Sequence, residues 1–126
     1  MSIYLYHLVQ TPSTLAKLIA APEDRRQTIE PIFKDLGGSV LGFWYGVGGS
    51  DVYVVAELPD DVVSTSLATR VASSGAFSSV TTTKLLTVED MLTALGGSAA
   101  TAAYRAPGEP ARGAKRASAS TWREGP

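Results

Sequence analysis

The chain has 126 residues, 44% of them hydrophobic and 18% charged, with a formal net charge of −1 and no cysteine. That length suits one compact domain with a real core, and the missing cysteine excludes disulfides, thiolate metal sites and cysteine nucleophiles. No apolar run approaches the roughly 18 residues of a membrane span, Met1-Ser2-Ile3-Tyr4 lacks the basic region of a signal peptide, and the near-neutral charge leaves no footprint for nucleic acid; a cytoplasmic protein with neither nucleic-acid nor membrane partner is expected.

Ile3 to Val9, rich in β-branched and aromatic residues, predicts a first strand. Pro12-Ser13 opens a helix with Leu15, Leu18 and Ile19 on one side. After Pro22 a second helix starts near Glu23-Asp24, its stripe being Ile29, Ile32, Phe33 and Leu36. Pro31 should kink it or start a fresh turn, and Gly37-Gly38 should end it. Ser39 to Val47 and Ser50 to Leu58 read as strands joined by a two-residue Gly48-Gly49 turn, in which both residues need positive φ. The implied register sets Tyr45 opposite Val52, Trp44 opposite Tyr53 and Phe43 opposite Val54. One face is then Leu41, Phe43, Tyr45, Val52, Val54 and Ala56; the other carries Gly42, Trp44, Gly46, Asp51, Tyr53, Val55 and Glu57.

Pro59-Asp60-Asp61 opens a helix with acids suited to its dipole and a buried stripe of Val63, Leu67, Ala68 and Val71, closed by Gly75. Phe77 to Leu86 is the fourth strand. Thr87-Val88-Glu89-Asp90 resembles a capping box before a short helix that should bury Val88, Met91, Leu92 and Leu95 and stop at Gly96-Gly97. Charge then changes sign along the chain. Six basic residues stand against ten acidic through Ala103, and five against two from Tyr104 to Pro126. That last stretch has no Leu, Ile, Val or Phe. A folded domain over residues 1–100 is therefore expected, followed by a disordered basic Ala/Gly/Pro/Arg-rich tail over 101–126. Arg112, Lys115, Arg116, Trp122 and Arg123 would suit an acidic protein partner.

The order β-α-β-β-α-β plus a terminal helix predicts an α+β, ferredoxin-like plait with helices on one sheet face. The uncovered face would expose Trp44 and Tyr53, so a second copy should pack there, giving a homodimer or higher homo-oligomer.

Arg25-Arg26, Leu36-Gly37-Gly38, the run from Gly48 to Val55, Glu57-Leu58-Pro59-Asp60 and Lys84-Leu85-Leu86-Thr87 together resemble the small bacterial and archaeal GYD-domain family. The resemblance runs from about Tyr4 to Met91, and Gly49-Ser50-Asp51 stands where that family has Gly-Tyr-Asp. It implies the dimeric α/β barrel, two plaits packed sheet to sheet, and a pocket between sheet and helices or at the barrel mouth. The wider superfamily spans cofactor-independent monooxygenases, isomerases, haem enzymes and ligand binders, so by itself it fixes no activity.

His7, the only histidine, is a candidate general acid or base or haem ligand, set against a plain structural role. Asp51 is a candidate carboxylate partner, set against simple turn chemistry, and Glu57 could form half of a carboxylate pair. Trp44, Tyr53 and Tyr45 are candidate ligand-binding aromatics, with Gly42 and Gly46 making room beside Trp44 for a ligand or for a neighbouring backbone. Tyr4 and Tyr6 lie on the strand face opposite His7. Arg25, Arg26 and Arg70 read as solvated charges, Arg25 or Arg26 alternatively reaching an anionic ligand. No metal ligands stand at suitable spacing, no cofactor is expected, and Gly46-Val47-Gly48-Gly49 lacks the following helix that a phosphate loop needs. Two functions follow. One is a non-catalytic oligomeric module that binds a small molecule or partner. The other is a cofactor-independent monooxygenase, isomerase or cyclase acting on a polar aromatic or polyketide-like compound.

Overall fold

Residues 1–101 and 103–110 are described by the computed structural model, and the chain divides into two units, Met1–Leu86 and Thr87–Pro126. The first unit runs β1 (Ser2–Gln10), α1 (Pro12–Ala20), α2 (Arg25–Asp35), β2 (Ser39–Tyr45), β3 (Asp51–Leu58), α3 (Asp61–Ala72) and β4 (Phe77–Leu85). All strand pairings are antiparallel, in the order β2-β3-β1-β4. This is the α+β, ferredoxin-like arrangement the element order implied. The second unit holds α4 (Val88–Ala99). The proposed docking residues Arg112, Lys115, Arg116, Trp122 and Arg123 lie outside the described residues. Among the described residues no helix is long and apolar enough to cross a membrane.

Strand alternation decides which side of the sheet is core. On β1 the even residues Tyr4, Tyr6, Leu8 and Gln10 are buried; on β3 Val52, Val54, Ala56 and Leu58 are. Ile29 and Phe33 of α2 and Val63, Leu67, Ala68 and Val71 of α3 pack on this face. Helix starts follow their capping residues: Thr11, Asp24, Asp60 and Thr87 each accept a first-turn backbone N–H, satisfying donors that have no partner inside the helix.

Several expectations need correction. Pro31 neither breaks α2 nor starts a new turn, for the helix is continuous from Arg25 to Asp35. Pro31 and Gln27 are both exposed, so the carbonyl freed by the missing N–H meets water. The β2–β3 connection is not a two-residue turn. The predicted register holds from Phe43 to Tyr45, but β2 ends at Tyr45, and Val47 to Ser50 form an open loop beyond the Gly46 N–H to Asp51 carbonyl bond. Gln10 explains this: its backbone N–H takes the Ser50 carbonyl and its Nε2 the Gly49 carbonyl, both at 2.8 Å. Gly48 and Gly49 do adopt positive φ, 107° and 87°.

A register shift between Val40 and Gly42 ejects Leu41 from the apolar face, leaving it 48% exposed, while Val40 and Phe43 pack on the core. One extra residue in a strand reverses the side chains beyond it. Ile32 and Leu36 are exposed, so the α2 stripe narrows to Ile29 and Phe33. In α4, Val88, Met91, Leu92 and Leu95 are all exposed instead of buried. Gly96-Gly97 does not stop that helix, which runs to Ala99. Neither glycine takes the positive φ by which glycine ends a helix.

Candidate functional site

Odd residues of β1 and β3 occupy the sheet face away from α1, α2 and α3. There His7 pairs with Tyr53 on one side and Thr81 on the other, and Tyr53 pairs with Trp44. One row thus crosses the whole sheet: Thr81, His7, Tyr53, Trp44. The His7 ring stacks on Tyr53 with centroids 4.6 Å apart and planes 2° from parallel. Its Nε2–H donates to Asp51 Oδ1 at 2.8 Å, a diagonal contact that antiparallel pairing brings within reach. With Asp51 holding Nε2, Nδ1 is the nitrogen left for any proton transfer. The two side chains are 37% and 42% exposed.

The indole of Trp44 lies across Gly42, where an added Cβ would stand 2.0 Å from the ring. Gly42 therefore makes room for its own neighbour, not for a ligand. Asp51 and Glu57 share this face but lie six residues apart on β3, about 20 Å, so they form no carboxylate pair. Among the described residues no group of three or more potential ligands could hold a metal ion.

The opposite face carries a cavity of about 550 Å³ between the sheet and helices α1, α2 and α3. Its walls include Tyr6, Leu8, Phe33, Phe43, Val54 and Leu67. Tyr45 belongs here: it borders the cavity and meets Phe43 edge to face at 5.3 Å. Burial pushes its hydroxyl above the ordinary value of 10.0, although Arg25 works the other way. The Tyr6 hydroxyl shares a 2.6 Å bond with buried Ser64 of α3, and burial raises its pKa also.

The five predicted site residues therefore divide. His7, Asp51, Tyr53 and Trp44 occupy the uncovered face, with His7, Asp51 and Tyr53 in direct contact; Tyr45 stands apart on the cavity side. The sequence reading took Phe33, Phe43, Val54 and Leu67 only as apolar-face residues and Arg70 as a solvated charge, and it passed over Lys17; all of them border the cavity. One signal was present: Gln10 continues the apolar series Tyr4, Tyr6, Leu8 with a polar residue. It is buried, anchors the β2–β3 loop and borders the cavity.

A four-stranded antiparallel plait with an open sheet–helix cavity on one side and an aromatic row on the other defines the class. The GYD domain model matches residues 4–95, so the chain belongs to the GYD-domain family. No curated protein and no solved structure matches the chain.

Proposed function

We propose that this chain is a homodimeric, non-catalytic binding module: the cavity takes a small apolar or aromatic molecule, and the uncovered sheet face takes a second copy. The carrying observation is the division of labour across the sheet. The cavity is walled mainly by apolar side chains and lies within the roughly 300–1,000 Å³ typical of small-molecule sites, whereas His7 and Asp51 project from the other face. An acid–base role for His7 in that cavity would require the imidazole to pass through the sheet.

The uncovered face supports the second copy. Ile3, Leu5, Val9, Tyr53 and Val55 are only partly buried there, and Trp44 is 58% exposed. An antiparallel sheet that faces water normally shows polar residues on that side. Four strands of about eight residues present roughly 500 Å², hence about 1,000 Å² between two copies, the lower bound for a specific interface. The dimeric barrel of this family's resemblance has the same pairing.

Two variants test both halves using the uncharged dye N-phenyl-1-naphthylamine. Val54→Trp fills the cavity and should abolish dye fluorescence while sedimentation still gives a dimer. Tyr53→Glu should give a monomer that retains dye binding. A Tyr53→Glu protein that stays dimeric but loses the dye would move the ligand to the His7 face and return the enzyme hypothesis.

A further inference from the structure

Charge is unevenly placed around the cavity. Residues 1–103 contain six basic and ten acidic side chains. Three of the basic ones but one of the acidic border the cavity: Lys17, Arg25 and Arg70 against Glu23. Arg25 already engages Glu23 at 2.7 Å. Lys17 and Arg70 have no carboxylate within ion-pair distance among the described residues. An acidic body thus holds an apolar cavity with a net positive rim, the field that draws in and retains an anion.

The kind of anion is also constrained. Phosphate sites usually enlist free N–H groups at a helix N-terminus, but here those of α2 are taken, since Asp24 accepts from Arg26 N and Gln27 N at 3.0 and 3.3 Å. Thr11 likewise occupies the Thr14 N–H of α1. What remains is two separate side-chain cations over apolar walls, a match for one small monoanionic group on an apolar body.

Building on the cavity-binding function proposed above, we infer that the ligand is an amphipathic carboxylate. An aryl or short alkyl body lies among Leu8, Phe33 and Val54, and its carboxylate is held at the rim by Lys17 and Arg70. The Tyr45 hydroxyl, which borders the same cavity, supplies a neutral donor there.

Calorimetric titration of matched pairs tests this: benzoate, 2-naphthoate and decanoate against benzamide, 2-naphthamide and decanamide. In at least one pair the acid should bind about tenfold or more tighter than its amide. A Lys17→Met/Arg70→Met double variant should bring the two affinities together. Equal affinities within every pair on the unaltered protein would overturn the anionic ligand while leaving the cavity function standing. A preference that survives in the double variant would overturn the role of Lys17 and Arg70. Absence of binding across both series would overturn the cavity function and this inference with it.

Discussion

At Gly38 an added Cβ would stand 1.9 Å from the Glu57 carbonyl oxygen, while at Gly42 it would meet the Trp44 ring at 2.0 Å. The two clashes look alike, yet they differ in what can yield. Glu57 contributes backbone within β3; Trp44 contributes a side chain that can rotate away. Gly38→Ala is expected to cost more than about 2 kcal/mol in urea unfolding, and Gly42→Ala about 1 kcal/mol. Gly42→Ala should also shift the tryptophan emission, because Trp44 must leave its resting place. Equal costs for the two would contradict the packing described. The need for glycine at both positions was invisible in sequence, where Gly37-Gly38 read only as a helix stop and Gly42 as space for a ligand or a neighbouring backbone.

Among the elements, α3 is tied to the sheet by two polar links. Tyr6 meets Ser64 in the middle. At the N-terminal end, Tyr4 donates to Asp61 Oδ1 at 2.6 Å and Lys84 reaches the same oxygen at 2.9 Å. The Tyr4 bond and Lys84 hold the Asp61 carboxyl below its ordinary 3.8. Asp61 in turn lifts Lys84 above 10.5, and burial followed by the Asp61 bond lifts Tyr4 above 10.0. The depressed carboxyl contributes stability above pH 3.8 that is lost as pH falls through its folded value. The raised Lys84 contributes stability below pH 10.5 that is lost as pH rises through its folded value, and Tyr4 resists ionisation over the same alkaline range. The difference in urea midpoint between the unaltered protein and Asp61→Asn should therefore be steady near neutrality and shrink below pH 3.8. A difference independent of pH would remove the charged latch. Much of α3 was legible: Asp60 caps it, and Val63, Leu67, Ala68 and Val71 do pack on the core, because a local periodic pattern carries that information. The apolar stripe of α4 shows the limit of such patterns. Periodicity says which face is apolar, not that the face is buried.

For the whole molecule, element order sufficed for the plait, and alternation sorted residues onto two faces of each strand. It could not say which face of β1 joins Trp44, because that depends on pairing between β1 and β3 across more than forty residues. A pocket between sheet and helices was implied by the family resemblance, but which residues wall it was illegible for the same reason. Its walls come from β1, α1, α2, β2, β3, α3 and the start of β4, and no single segment announces a concavity. The bulge at Leu41 left no compositional trace beyond the neighbouring Gly42. With the faces assigned, His7 and Asp51 become features of the uncovered surface, and the cavity is lined by residues first read mainly as core or solvated charge. Methyl groups report that division directly, since neighbours on one strand point to opposite sides. Adding N-phenyl-1-naphthylamine to protein with labelled Leu and Val methyls should shift Leu8, Val52 and Val54 and leave Leu5, Val9 and Val55 in place. Shifts confined to Leu5, Val9 and Val55 would contradict the account.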